Sequence, residues 1–341
     1  MSPMHRTGSV EERRVRAIPG RVSTGARVSA LLAGVLGVLL MPPLVHPASA
    51  YPSILNPSKG AHFGAVVHVR GSESRRDAVE RLEDKIGRRL GIDHQYYKWD
   101  SAFPTKQETW DKRRGRIPFL NWKAERTDGG VVGWSEIAGG SQDQWIRRRA
   151  TALSDFRAPI YLTFHHEPEN DLSRYGTPAD YAAAFERIVT LFEEEGVSNV
   201  AFVWTMMSWT FDPDSGRDPM AYYPGDGYVD LIGVDAYNWY GVRPDAQWRS
   251  LATIVEPARS FAASREKPWI VVEYGVVEDP EQPGRKARWF RRAGRAAERW
   301  PDLAGLVYFD AIKDGNHWVS DSSRSSIRAF RRVSNRNYFT P

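Results

Sequence analysis

The chain has 341 residues, no cysteine and a formal net charge of +5 at pH 7. The lack of cysteine excludes disulfides, thiolate nucleophiles and cysteine-built zinc sites. Six arginines and only two glutamates lie in the first 50 residues, so the rest of the chain is nearly neutral and has no nucleic-acid-binding signature.

The first 50 residues predict an export signal. An arginine-bearing segment precedes an apolar run at 28–41, and Ala48-Ser49-Ala50 has the small-residue pattern of a signal-peptidase site. The run is short for a membrane span and two prolines break it, which favours cleavage over anchoring. Arg13-Arg14 leaves a twin-arginine signal open, although its spacing to the run is long. We predict a cleaved signal peptide over 1–50, a secreted domain over 51–341, and no membrane contact after cleavage.

Beyond residue 50, strand and helix patterns alternate along the chain. Amphipathic segments predict helices at 75–90, at 142–154 and after the Thr177 cap. Runs rich in β-branched and aromatic residues predict strands at 62–69, 92–99, 116–122, 158–164, 199–204, 228–237, 268–276 and 303–310. Eight strands with intervening helices and no internal repeat predict a single (β/α)8 TIM barrel.

Two of these strands end in ionisable residues. The fourth runs into His165, His166 and Glu167 before Pro168 stops it, and the seventh is apolar until Glu273. A carboxylate that closes a buried run is costly unless it is used or paired. TIM barrels place catalysis at the C-terminal ends of their strands, and glycoside hydrolysis requires a pair of carboxyl groups. Glu167 and Glu273 are therefore the candidate catalytic residues.

Several segments around these strands carry a family resemblance. They are 117–122, His166-Glu167, Val203-Trp204, the long run 223–238, and Glu273-Tyr274-Gly275. On them the chain resembles a clan A glycoside hydrolase, most like family 26, the β-mannanase family. The resemblance implies a barrel, a retaining mechanism, Glu167 as acid/base, Glu273 as nucleophile, secretion and a polysaccharide substrate such as β-mannan or a related β-glycan.

One departure from the family bears on the sugar. The family usually has an arginine a few residues before its His-Glu pair, and here those positions are Leu162, Thr163 and Phe164. The segment after the acid/base also lacks the usual tryptophans. These segments shape the sugar-binding subsites, so the identity of the sugar stays open, as do its linkage and endo or exo action.

Aromatic and histidine side chains near strand ends are candidate substrate contacts. Tyr237 is expected to donate a hydrogen bond to Glu273, since alternation places it on the same face as Gly233 and Asp235. By resemblance His166 contacts the substrate or the nucleophile region, whereas strict alternation would put His165 on the face of Glu167, so both stay open. Sugar-stacking candidates are Trp204 above all, then Trp122, Trp239, Tyr308 and Trp318.

Other interpretations are weaker. The His-His-Glu run lacks the His-Glu-x-x-His spacing of helical zinc sites and has no evident third ligand, so we expect no metal and no cofactor. Glu169 and Glu278 are rival carboxylates that sit in charged loops and are predicted to be solvated. The remaining functional alternatives are a clan A hydrolase of β-glucan or β-xylan, and a non-catalytic carbohydrate-binding barrel. We expect a monomer.

Overall fold

The structure is a computed structural model that describes residues 51–340. Eight parallel strands close into a barrel in chain order, and the last pairs with the first. The predicted (β/α)8 barrel is confirmed. The strands are β1 (His62–Val67), β2 (Ile92–Lys98), β3 (Ile117–Lys123), β4 (Ile160–Phe164), β5 (Val200–Met207), β6 (Leu231–Asn238), β7 (Trp269–Val276) and β8 (Leu303–Asp310). The predicted signal peptide lies outside the described residues.

Helices surround the barrel. Those at Arg75 and Pro178 begin with capping boxes, in which Ser74 pairs with Asp77 and Thr177 with Asp180. The helices are α1 (Arg75–Ile86), α2 (Lys106–Arg113), α3 (Trp134–Ala138), α4 (Asp143–Phe156), α5 (Leu172–Tyr175), α6 (Pro178–Glu194), α7 (Leu251–Ser264), α8 (Arg285–Ala297) and α9 (Arg324–Ser334). Within residues 51–340, no helix is both long and apolar enough to cross a membrane.

Alternation along each strand separates two apolar layers. Inward residues such as Phe119, Val203 and Val307 pack together inside the barrel. Their chain neighbours point the other way and pack against the helices, as Leu120 and Trp204 do. A residue's place in this alternation therefore decides whether it can reach a central cleft.

The N-terminal end of the barrel is filled by the chain itself. Leu55 is fully buried among the inward residues, and its carbonyl oxygen accepts a 2.7 Å hydrogen bond from the Tyr161 hydroxyl. The His62 ring lies 2.6 Å from the carbonyl oxygen of Ile54. Because this end is occupied, the open space lies at the opposite, C-terminal mouth.

A two-stranded hairpin extends the mouth beyond β8. It consists of β9 (Ile312–Lys313) and β10 (Asn316–His317), and Trp318 follows it. The buried Lys286 on α8 donates to the carbonyl oxygens of Trp318 and Val319, at 3.2 and 2.9 Å. The hairpin is thereby tied to the helical layer and forms one wall of the mouth.

Candidate active site

A tight turn follows β4 and carries both histidines and Glu167. His165 and Glu167 have left-handed backbone conformations, with φ of 44° and 53°. Such values are uncommon for residues other than glycine and occur where the surrounding structure enforces them. The turn breaks the strand's alternation, so that His166 and Glu167 face the cleft while His165 faces the helices.

His165 therefore does not contact the cleft, contrary to what strict alternation predicts. It is fully buried, packs against Trp134 and Tyr175, and its Nδ1 accepts from the Ala124 amide and the Trp134 indole, both at 3.3 Å. Its Nε2 then carries the proton and donates to Asp171 at 3.0 Å. Burial lowers the pKa of His165 to about 4, so it is a neutral anchor for the turn.

Glu273 reaches the cleft through a second irregularity. The pairing of β7 with β6 shifts between Val271 and Glu273, which is a β-bulge. If β7 alternated regularly, Glu273 would share the outward face of Val271. With the bulge, Glu273 points inward and is 3% exposed.

Two phenols hold the Glu273 carboxylate. The hydroxyl of Tyr96 donates to Oε1 and that of Tyr237 donates to Oε2. Two donors of this kind fix the orientation of the carboxyl group. Gly275 permits the arrangement, because a Cβ there would lie 2.8 Å from the Tyr237 ring and 2.9 Å from Trp318. Tyr237 thus lies where the sequence placed it, and Tyr96 is a contact that the sequence analysis missed.

Glu167 has a different environment. Its carboxyl group accepts from the Asn170 side chain at 3.2 Å. The pKa of Glu167 is raised to about 8, chiefly by burial, and the neighbouring Asp235 and Glu273 act in the same direction against the lowering influence of His166. At neutral pH this carboxyl group is mainly protonated and can supply a proton.

His166 and Asp235 lie beside the two glutamates. Nδ1 of His166 lies 3.1 Å from Asp235 Oδ2 and 3.7 Å from Glu273 Oε1. Asp235 is fully buried, and burial together with Glu273 raises the pKa of Asp235 well above its ordinary value. The possible ligand atoms of His166, Glu167 and Asp235 lie within 4.8 Å of one another, so these are the residues that could hold a cation. Paired carboxyl groups need no metal for glycoside hydrolysis, and the expectation of a metal-free site stays a prediction.

The cleft is a cavity of about 870 Å³ at the C-terminal mouth. Of the predicted site residues, Glu167, Glu273, His166, Tyr237, Trp239 and Trp318 line it. Lining residues that the sequence analysis did not select include Tyr96, Asn121, Trp209 and Arg243. Tyr96 and Asn121 lie an even number of residues after the inward-facing Ile92 and Phe119, so strand alternation could have indicated them. Trp209 and Arg243 lie in loops, where no such pattern exists.

Three predicted stacking residues do not reach the cleft, and these predictions were wrong. Trp204, Trp122 and Tyr308 are each 0% exposed. The Trp204 indole donates to the Tyr222 carbonyl oxygen, Trp122 donates to that of Trp99, and Tyr308 donates to that of Trp318. Each of these side chains faces outward from its strand and packs beneath the helices.

The rival carboxylates are structural. Glu169 is 7% exposed and accepts from the Met207 amide and the Thr210 hydroxyl, both at 2.7 Å, so the prediction that it is solvated was wrong. Glu278 accepts from the hydroxyls of Ser322 and Ser326, at 2.8 and 2.6 Å. Neither lines the cleft.

Fold and site together show a (β/α)8 barrel with two glutamates facing one cleft at the C-terminal mouth. Residues 142–287, which include both glutamates, match the model of glycosyl hydrolase family 26. The chain is most like family 26 of clan A, and the resemblance noted in its sequence is confirmed.

Individual proteins of similar sequence or fold support the same resemblance. Endoglucanase H of Acetivibrio thermocellus is 29% identical over 296 residues, which cover 83% of this chain and 31% of that protein. The chain thus spans about a third of its curated relative. A GH26 β-mannanase from Bacteroides ovatus has the same fold, with a TM-score of 0.58 at 18% identity over 82% of this chain and 90% of the other. A modular endo-β-1,4-mannanase from Cellulomonas fimi gives 0.59 at 17% identity over 85% and 74%.

Proposed function

We propose that the protein is a secreted retaining glycoside hydrolase that cleaves β-glycosidic bonds in a polysaccharide by double displacement. The observation that carries the proposal is the contrast between two glutamates at one cleft. Two phenols donate to Glu273, while the pKa of Glu167 is raised to about 8. One carboxylate is thus prepared to attack and one carboxylic acid to donate a proton, as glycoside hydrolysis requires.

In the first step Glu167 donates its proton to the departing glycosidic oxygen. A carboxylate oxygen of Glu273 attacks the anomeric carbon from the opposite face, and the carbon–oxygen bond to the leaving group breaks. The hydrogen bonds from Tyr96 and Tyr237 orient Glu273 for this attack. The product of the step is a covalent glycosyl-enzyme in which Glu273 carries no charge.

In the second step the roles of Glu167 reverse. Loss of the negative charge on Glu273 removes one of the interactions that raise the pKa of Glu167, so its carboxylate form becomes more accessible. That carboxylate takes a proton from water, the oxygen attacks the anomeric carbon, and Glu273 departs. Two inversions leave the anomeric configuration retained.

The substrate class follows from the relatives only in part. The solved structures of similar fold are described as β-mannanases, which supports an endo-β-1,4-mannanase-like activity as the first hypothesis. The curated relative is described as an endoglucanase, which supports β-glucan as the second. The loops that shape the cleft, and not the glutamates, decide between these sugars.

Incubation with a panel of β-mannan, mixed-linkage β-glucan and β-xylan tests the proposal, with sizing of the products. We expect shorter oligosaccharides from one member of the panel with the wild type and none with Glu273→Ala. Equal product from both proteins would show that Glu273 is not catalytic. Binding to a polysaccharide without any cleavage would identify the chain as a carbohydrate-binding barrel.

Export is a separate part of the proposal, and it rests on the sequence of residues 1–50. N-terminal sequencing of protein recovered from the culture medium should begin at or near Tyr51. Recovery of intact Met1 from a soluble cytoplasmic fraction would reject the cleaved signal peptide.

A further inference from the structure

Arg243, in the loop after β6, stands beside the cleft in an unusual setting. Its guanidinium carbon lies 3.7 Å from the centre of the Trp239 ring and 4.5 Å from that of Trp209. Planar guanidinium groups stack in this way on aromatic faces, which fixes the direction of their N–H groups. The side chain is therefore held in place by two tryptophans.

Arg243 forms no direct ion pair among residues 51–340, although the Glu167 carboxyl group is near enough to raise the pKa of Arg243. No carboxylate lies within ion-pair distance of its guanidinium group, which also donates no hydrogen bond within that part of the chain. Other cations of the cleft are paired: Lys98 lies 2.8 Å from Glu125, and Lys123 lies 3.0 Å from Asp171. Lys313, on the hairpin, also has no ion pair within the described residues. An oriented cation without a partner is suited to an anionic ligand.

Three further donors at the same place lack acceptors. The indole nitrogens of Trp209 and Trp239 and the amide nitrogen of Asn238 are buried and have no hydrogen-bond partner among the described residues. By contrast, indoles such as those of Trp99, Trp145 and Trp289 donate to protein oxygens at 2.9–3.1 Å. Buried donors without acceptors are rare and costly, and they are frequent where a ligand supplies the acceptor.

These donors surround a second cavity that adjoins the cleft. It measures about 390 Å³ and shares Trp209, Tyr237, Trp239 and Arg243 with the cleft. Asp212 and Asp245 also line it, but neither pairs with Arg243, and Asp212 already accepts from the Asp214 amide at 3.0 Å. Trp239 packs on Tyr237, which holds Glu273, so the cavity borders the reacting centre.

We propose that this place is a subsite for a carboxylate on the glycan, so that the preferred substrate is an acidic β-glycan bearing uronic acid residues. The inference rests on the proposed hydrolase function and names its substrate class. Arginine offers a pair of parallel N–H groups that match the two oxygens of a carboxylate. Burial between the rings lowers the pKa of Arg243 by removing water from its charge, and a uronate would replace that lost hydration. A neutral hydroxyl would leave the charge without a counter-ion.

The experiment uses matched substrates. Soluble β-mannan and mixed-linkage β-glucan are partially oxidised at C6 to uronates, and a portion of each is then carboxyl-reduced back to the neutral sugar. We expect the wild type to have a kcat/KM for one oxidised glycan that exceeds that for its reduced counterpart by about ten-fold or more, as loss of a charge-assisted hydrogen bond implies. Arg243→Gln should bring this oxidised-to-reduced ratio of kcat/KM down to about one, whatever its absolute activity on either glycan.

The control variant is Arg113→Gln, which removes one positive charge from the exposed end of α2 before β3, at the far end of the barrel. It should keep the wild-type preference. A wild type that hydrolyses both forms equally would overturn the inference and leave the hydrolase proposal intact.

Binding separates the two proposals if no glycan is cleaved. In affinity electrophoresis the oxidised glycan should retard the wild type more than the reduced glycan does, and Arg243→Gln should lose the difference. This result would support the carboxylate subsite while the hydrolase proposal fails. Equal migration in both gels would overturn the subsite as well.

Discussion

The ends of β4 and β7 each place a glutamate in the cleft, and they do so by different means. At β4 two residues with positive φ turn the chain, and at β7 a bulge shifts the pairing by one residue. Their surroundings differ too: phenols donate to Glu273, while burial raises the pKa of Glu167. The comparison teaches that burial and hydrogen bonding can give two residues of one type different properties, which is the basis of the roles proposed for Glu273 and Glu167.

Removal of Glu273 should have the largest effect. Glu273→Ala eliminates the attacking group, so activity should fall by roughly four orders of magnitude or more on every substrate. Added azide should enter the vacated space and give the α-glycosyl azide. A β-glycosyl azide would mean that the roles of the two glutamates are exchanged. Circular dichroism and the melting temperature serve as the folding control.

Removal of Glu167 should have an effect that depends on the leaving group. Glu167→Ala loses the proton donor, so cleavage of the natural polysaccharide should fall by roughly 10²–10⁴-fold. An activated aryl glycoside needs little protonation, and with it the variant should form the covalent intermediate and then stall. Azide, which needs no base, should restore turnover and yield the β-glycosyl azide. Equal losses on both substrates would contradict an acid/base role.

The phenol donors offer a smaller perturbation. Tyr237→Phe removes one hydrogen bond to Glu273, and kcat should fall on the order of 10²-fold, as for loss of a donor at a reacting centre. Tyr308→Phe is the matched control, because its hydroxyl donates to the Trp318 carbonyl oxygen outside the cleft. Its kcat should match that of the wild type. Equal effects of the two variants would indicate a loss of packing and not of nucleophile orientation.

The pH profile should show the smallest effect. Because the pKa of Glu167 is raised to about 8, kcat/KM should decline as pH rises through that value and the acid loses its proton. The raised pKa also means that ionisation of Glu167 opposes folding, so stability falls as pH rises between its unfolded and folded pKa values. At pH 9 Glu167→Gln should therefore melt at a higher temperature than the wild type. No difference in melting would show that the carboxyl group is not in a buried, charge-disfavouring site.

The barrel could be predicted because its elements have local sequence signals: runs of β-branched and aromatic residues mark the strands, and capping residues mark the helix starts. Thr177 and Asp180 form the expected cap, and all eight predicted strands are present. The two glutamates could be proposed because each ends an apolar run. The same criterion failed for the sugar-stacking residues. Trp204 was favoured because it ends a predicted strand, but its side chain faces outward and is buried under the helices.

Other features depend on contacts between distant segments. The turn at His165 and the bulge before Glu273 override alternation, and no local pattern in the sequence announces either. Tyr96 and Glu273 are 177 positions apart, so only the closed barrel brings them together. Arg243 stacks on Trp209 and Trp239, which follow two different strands, so only the folded barrel brings the three together.

Trapping of the covalent intermediate tests the central claim most directly. Wild-type enzyme is incubated with an activated 2-deoxy-2-fluoro glycoside of the sugar that the panel identifies, digested with trypsin and sequenced by mass spectrometry. We expect inactivation with one sugar attached per chain, on the peptide 266–285, and fragmentation that places the sugar on Glu273. A label on any other residue, or inactivation of Glu273→Ala at the same rate, would contradict the account.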